Sequence, residues 1–372
     1  MLSRVAESLY WIGRYVERAE DTSRLLDVHV HTLLEDPWVD EAGASRDVLA
    51  VMGVEVPSGL LDARRTTEWL AFRPGDTSSI VGALAAAREN ARGVREALSS
   101  ELWEALNTTF HALPAQEALA RRHGPHGFFR YVRERAAVVA GLLDGTMPRD
   151  EGWRFLVLGR SLERVDMTAR LLWSRGQQRG ASAGWVGLLK SCSAHEAYLR
   201  SYRAAVEPEK VVEFLVLDRL FPRSVYAALV QAETCLSELD PTAGRTGVDD
   251  AARRALGRAR TDLEFRVSEE LLHDLPGLLG AVRDGMSALA NDPANQAQQR
   301  QVVAGADALA HGVNGLGTAI SSARQAAQDG IVADVATANT ALRSLGALSD
   351  QIIAAQARGD SIAGLEDARD AQ

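Results

Sequence analysis

The sequence predicts an all-α protein, a multi-helix bundle with an internal pseudo-repeat followed by a helical hairpin tail, and three observations predict it. Apolar residues recur at 3.6-residue spacing through most of the 372 residues, as amphipathic helices require. No run alternates apolar and polar residues between hairpin turns, so no strand is read. A charged helical stripe near the N-terminus also returns in the middle of the chain.

The first helix runs from Leu2 to Leu34, with Val5, Leu9, Ile12, Tyr15, Val16, Ala19 and Leu26 as its apolar face, and Glu35-Asp-Pro-Trp38 ends it. At ~100° per residue, Arg14, Glu17, Arg18 and Asp21 fall in one narrow stripe of that helix. His29 and His31, two residues apart, point to different faces, so the pair is not read as a metal site. Asp47 to Met52 and Gly59 to Phe72 read as short helices separated by Val56-Pro-Ser-Gly59, with Arg73-Pro-Gly-Asp76 as the next turn. A long helix follows from Ser78 to His111. Arg88, Arg92, Arg95 and Ser99 share nearly one face of it; Glu96, Trp103 and Asn107 continue at helical spacing, and Trp103 and Asn107 argue for partial burial.

Gln116 to Arg122 is a short helix, His123-Gly-Pro-His-Gly127 a turn and Phe128 to Leu143 another helix. In the link Gly145-Thr-Met-Pro-Arg-Asp150, an acidic residue caps the second signature helix, Glu151 to Ser174. There Gly159, Arg160, Glu163, Arg164, Thr168 and Arg170 repeat the types and spacing of Gly13, Arg14, Glu17, Arg18, Thr22 and Arg24. Phe155, Leu156, Val157, Leu158, Leu162, Val165, Met167, Leu171 and Leu172 surround the second stripe, which places Arg160, Glu163 and Arg164 inside the protein. Charges taken from water cost several kcal/mol each unless paired. The network is therefore either a specificity device or a ligand site, and the residues alone leave both open.

Trp185 to Val206 reads as one helix. Cys192 and His195 lie three apart on a face of it, compatible with a thiol and base pair, but no third residue orients the histidine, and a packed cysteine beside a hydrogen-bonded histidine is commoner. Val211 to Phe221 carries a third echo: Phe214-Leu-Val-Leu-Asp-Arg-Leu-Phe-Pro-Arg223 repeats the pattern of Phe155 to Arg164, with Pro222 in place of the glutamate. The helix should stop or kink near Phe221, with Pro222 in the first turn of the next, Arg223 to Leu239. Arg219 and Arg223 thereby join the candidate network. After the turn-rich Asp240 to Gly247, a helix spans Asp249 to Pro276.

Aromatic residues end at Phe265. From Ser287 onward Val303, Leu309, Val313, Leu316 and Ile320, then Ile331, Val335, Leu342, Leu345, Leu348 and Ile352, form a narrow apolar seam, suited to two helices in a coiled-coil-like hairpin. The domain boundary is placed at Gly285 to Pro293, giving domains 1–286 and 287–372, with the tail as a route to oligomers.

The net charge of −9 argues against nucleic-acid binding, which needs a basic footprint. No run reaches the ~20 apolar residues of a membrane span, and charged residues interrupt every apolar run near the N-terminus, so no signal peptide is read; a soluble cytoplasmic protein is expected. Two cysteines, Cys192 and Cys235, supply neither a disulfide framework nor metal spacing. Glycine-rich nucleotide loops and His-Glu-x-x-His are absent, so no cofactor, metal or catalytic residue is assigned.

Gly13-Arg-x-x-Glu-Arg18, Gly159-Arg-x-x-Glu-Arg164, the Asn90-Ala-Arg92 and Trp103-Glu-Ala-Leu-Asn107 segments and the Phe214 to Arg223 run resemble the bacterial Alpha-E family, a helical domain named for its Glu-Arg signature. The resemblance covers about residues 1–286. It implies a role beside a circularly permuted ATP-grasp protein and a transglutaminase-like peptidase, and so a part in amide-bond chemistry on a small peptide. The tail, from Ser287-Ala-Leu-Ala-Asn-Asp-Pro-Ala-Asn295 through Arg300-Gln-Val-Val303 to the stretch ending Leu365-Glu-Asp-Ala-Arg-Asp370, is similar to an internal helical segment of flagellar hook-associated protein 1. What precedes and follows that segment in the flagellar family is absent here. Three functions are carried forward. The first is an accessory module binding an anionic ligand, peptide or partner enzyme through Arg14, Glu17, Arg18, Asp21, Arg160, Glu163, Arg164, Arg219 and Arg223, with Arg92, Arg95, Trp103 and Asn107 as secondary candidates. The second is an enzyme using Glu17 or Glu163; two flanking arginines should keep either glutamate ionised against the pull of burial, which makes it a poor acid and a preoccupied base. The third is a flagellar assembly protein acting through the tail.

Overall fold

A computed structural model of the chain describes residues 1–55, 61–177, 183–239, 241 and 251–266. The expectations for the linker around Val56 to Gly59, the turn-rich segment after Asp240, the end of the last body helix, the boundary near Gly285 and the tail hairpin fall wholly or largely outside those residues. Among the described residues every regular element is helical: α1 (Ser3–Glu35), α2 (Glu41–Val51), α3 (Ala63–Phe72), α4 (Ile80–Gly93), α5 (Ser100–His123), α6 (His126–Thr146), α7 (Glu151–Gln177), α8 (Ala183–Ser191), α9 (His195–Tyr202), α10 (Pro208–Leu217), α11 (Val225–Leu239) and α12 (Ala251–Glu264), with a single 3-10 turn at Arg95–Ala97. The all-α expectation holds for them. None of these helices is long and apolar enough to cross a membrane.

The two helices that carry the repeat form the centre. On one side α1 packs against α4, α6, α2 and α3; on the other, α7 packs against α11, with α12 and α10 beyond it. A Cβ on Gly13 would fall on the Leu156 carbonyl oxygen and close to the Arg160 nitrogen; one on Gly159 would fall on the Tyr10 carbonyl oxygen and within 3.2 Å of the Arg14 nitrogen. Each glycine thus admits the backbone of the other helix, and the contacts are equivalent under exchange of the repeats. Leu9 meets Gly152 and Gly13 meets Arg160, so the helices run side by side in the same direction. Leu9, Ile12, Ala19 and Leu26 of α1 and Leu156, Val157, Leu162, Val165 and Leu172 of α7 are buried.

Several boundaries differ from the sequence reading. The helix expected from Asp47 starts at Glu41, and the one expected from Gly59 starts at Ala63, where the Asp62 carboxylate accepts from the Arg65 N–H at 2.7 Å. The long helix expected from Ser78 to His111 is two helices. The first ends at Gly93, and Ser99, rather than extending a surface stripe, caps the second by accepting from the Leu102 N–H at 3.2 Å. This second helix then runs through Pro114 to His123, absorbing the short helix expected at Gln116. Asp150 caps α7 as expected, accepting from the Trp153 N–H at 3.1 Å. The helix expected from Trp185 to Val206 breaks at Ser193, whose φ is 53°. α10 stops at Leu217, before Phe221, because Asp218 Oδ1 takes the N–H groups of Leu220 and Phe221 at 2.9 and 2.7 Å. Pro222 sits in that turn, outside α11.

Candidate functional site

The close approach at Gly13 and Gly159 sets the two charged stripes face to face. Each Glu-Arg pair exchanges partners with the other: Arg18 Nε donates to Glu163 Oε1 at 2.6 Å and Arg164 Nε to Glu17 Oε1 at 2.6 Å. Arg14 also donates to Glu163, and its Nη1 to the Tyr10 hydroxyl at 2.9 Å. Glu17 receives its second cation from the turn before α11, where Arg223 Nη1 lies 3.0 Å from Glu17 Oε1 and 2.5 Å from Asp21 Oδ1 while Nη2 reaches Glu20 Oε1 at 2.6 Å. Thr168 of α7 anchors that turn through the Arg223 carbonyl, at 3.2 Å. Glu17, Asp21, Glu163 and Arg223 are buried.

Burial alone would raise the carboxyl pKa values. Arg14 and Arg18 together hold Glu163 below the usual range, and Arg223 and Arg164 do the same for Glu17. Asp21 goes the other way: burial, opposed by Arg223 and reinforced by Glu17 and Glu20, pushes it up to about 8, and its Oδ2 has no hydrogen-bond partner among the described residues. Arg160, the counterpart of Arg14, stands apart. Its buried Nε has no hydrogen-bond partner among the described residues, and burial together with neighbouring Arg164 lowers its pKa. It lines a cavity of about 30 Å³ with Glu17, Glu20 and apolar residues of α1, α5 and α6, room for about one water.

The structure thus brings together Arg14, Glu17, Arg18, Asp21, Glu163, Arg164 and Arg223, with Arg160 beside them. Arg219 is a correction: it is 63% exposed, 3.8 Å from Glu264 and over the Tyr226 ring, outside the network. The secondary candidates form a separate cluster, where Arg88 Nε donates to Asn107 Oδ1 at 3.1 Å, Arg88 and Arg95 lie over the Trp103 ring, and exposed Arg92 pairs with Glu89. Cys192 and His195 lie on either side of the Ser193 break; Cys192 is buried and burial pushes its thiol up to about 12, which disfavours the thiolate that the pairing considered from sequence needs.

A second concavity was missed in the sequence. A groove of about 1210 Å³ runs between the C-terminal half of α1, α2, the start of α6, the end of α7 and α8. Arg24, Arg133, Arg175 and Lys190 line it together with Asp27, Glu35, Asp36, Asp40 and Asp47. His29 and His31 do part company, as expected. Both border the groove, but buried His29 has Nε2 3.3 Å from Ser45 Oγ, and burial lowers it to about 4, whereas His31 is half exposed beside Asp27 and His126. The available sequence signal was Asp27 and His31 four residues apart; His126, on another helix, gave none.

A family model for a predicted alpha-helical domain with a conserved ER motif, Alpha-E, matches residues 1–296. The chain belongs to the Alpha-E family. Among the Glu-Arg dipeptides of this Alpha-E protein, Glu17-Arg18 and Glu163-Arg164 are the pairs that exchange partners across the central seam. A second model, the flagellar hook-associated protein FlgK helical domain, matches residues 268–372. The Alpha-E chain is also similar to an uncharacterized protein of Mycobacterium bovis (25% identical) and to two uncharacterized proteins of Mycobacterium tuberculosis (25% and 24% identical); each match covers 77% of this chain and 36% of the relative. The chain therefore spans about a third of the length of these relatives. No solved structure matches it.

Proposed function

We infer that this Alpha-E protein is a non-catalytic accessory module, acting in the cytoplasm beside an ATP-grasp-type amide ligase and a transglutaminase-like peptidase, and that its groove receives a segment of the ligase. The observation that carries this is the contrast between the two concavities. In the ionic network the glutamates already occupy the guanidiniums, and the adjoining cavity of about 30 Å³ admits no substrate-sized anion; Arg160 is what remains for a small anionic group. The groove of about 1210 Å³ is open and lined by both signs of charge, as a polypeptide partner needs. In the mycobacterial relatives the matching stretch is part of a much longer chain, which suits a module that works beside other domains. Glu17 and Glu163, ionised and doubly paired, support binding over an enzyme reading.

The test is complex formation with the ATP-grasp-type ligase of the same organism, followed by light scattering and calorimetry. A stoichiometric complex is expected, weakened at least about tenfold by Lys190→Glu combined with Glu35→Lys, two exposed groove positions. No complex, or one indifferent to those changes, overturns the reading. The match of residues 268–372 to the FlgK helical domain favours a second reading, assembly through the tail.

A further inference from the structure

We propose that Asp27, His31 and His126 form a binding site for a single divalent first-row transition-metal ion of the zinc class, open to the groove. α1 presents Asp27 and His31 four residues apart on one face, and α6 begins at His126, directly opposite. The Asp27 Oδ1 atom is 2.8 Å from His126 Nδ1 and 3.4 Å from His31 Nδ1. One nitrogen of each imidazole and one carboxylate oxygen all lie within 4.8 Å of one another, and the two rings stand edge to face, 5.2 Å between centroids. Ligands at ~2.0–2.2 Å from a common tetrahedral ion lie some 3.3–3.6 Å apart, so small side-chain rotations suffice.

The ligand chemistry selects the ion. Two imidazoles and one carboxylate suit zinc, iron, nickel or copper and are too rich in nitrogen for calcium or magnesium. The carboxylate is supported from behind: Arg133, two turns along α6 from His126, donates from Nη1 to Asp27 Oδ2 at 2.8 Å. That leaves Oδ1 for the metal, as outer-shell partners of metal-bound carboxylates do. Three protein ligands leave a coordination position unfilled, which is how catalytic and ligand-accepting zinc sites are built. His31 and His126 are 49% and 57% exposed on the groove side, so the open position faces the groove. A carboxylate or carbonyl oxygen of a groove occupant is the group that position would take. The site stands on these three side chains and does not depend on which partner the groove receives.

The full chain, without an affinity tag and freed of metal by a chelator, is titrated with Zn²⁺ alone by calorimetry. One ion per chain is expected, with affinity lost at least about tenfold in each of His31→Ala, His126→Ala and Asp27→Asn, and unchanged in His111→Ala, an exposed histidine of α5. Because His31 and His126 are half exposed, circular dichroism should show folded variants. Substitution with Co²⁺ provides a second readout: visible absorption bands of a four- or five-coordinate ion, absent in the His126→Ala chain. No binding, or binding indifferent to His31 and His126, overturns the site; failure of the ligase complex leaves it standing.

Discussion

At the scale of single residues, the centre of this protein is a set of charges that satisfy one another, and Asp21 is the exception that titrates. In the unfolded chain its carboxyl loses its proton near 3.8; in the fold it keeps it up to about 8. Between those values the folded state binds a proton that the unfolded state lacks. The contribution of Asp21 to stability is thus full below about pH 4 and is lost as pH rises through about 8. Asp21→Asn, neutral at every pH and of the same size, should gain on the parent as pH rises, so that its thermal midpoint relative to the parent is higher at pH 9 than at pH 5 by at least about 2 °C, roughly 1 kcal/mol in a domain of this length. A parent and variant that differ by the same amount at both values would show that Asp21 is charged in the fold. The burial of this stripe was legible because the residues around Glu163 are apolar on every side. The identity of its partners was not. Helical spacing places Arg14 beside Glu17 in sequence, whereas in the fold Arg14 reaches across to Glu163.

At the scale of elements, the decisive contact is between two backbones. Because a Cβ at Gly13 or Gly159 meets a carbonyl oxygen of the other helix, neither position has a flexible neighbour that can give way. Gly13→Ala and Gly159→Ala should each cost about 1–3 kcal/mol or more, read as a fall in the denaturation midpoint, although alanine favours an isolated helix. An unchanged midpoint would mean that the seam opens without penalty. Matched glycines were visible in the repeat, but their role was not, since sequence spacing carries no information on interhelical distance. The misplaced ends have equally specific causes. Gly93 and the Ser99 cap did mark the break between α4 and α5, but the sequence reading runs the helix straight through Gly93 and places Ser99 in a stripe. The break at Ser193 has neither glycine nor proline to announce it. Pro114 announces a break that does not occur, because packing of the buried residues on both sides, Thr109, Leu113 and Ala120, carries the helix past it.

At the scale of the whole molecule, two family matches meet between residues 268 and 296. If the Alpha-E part is self-sufficient, limited proteolysis of the full chain should give a resistant fragment ending near Met286, and a chain truncated there should keep the thermal midpoint of the parent. Resistance extending through Leu365 would place the tail in a packed or oligomeric state instead. The all-helical architecture followed from periodicity alone. The groove did not, because α1, α2, α6, α7 and α8 contribute to it from separated stretches of sequence.

Exchanging α1 with α7 would leave the glycine seam as it is, since each glycine seats the other's helix at the same register. The polypeptide therefore carries within itself the interface of a symmetric dimer, with the two copies joined as one chain. A true dimer must change both sides of its interface at once; a fused pair can change one. Glu163 has kept the arginines of the opposite copy, while Glu17 has taken Arg223 and left Arg160 over. A departure from symmetry on one side alone is open only to a chain that contains both halves.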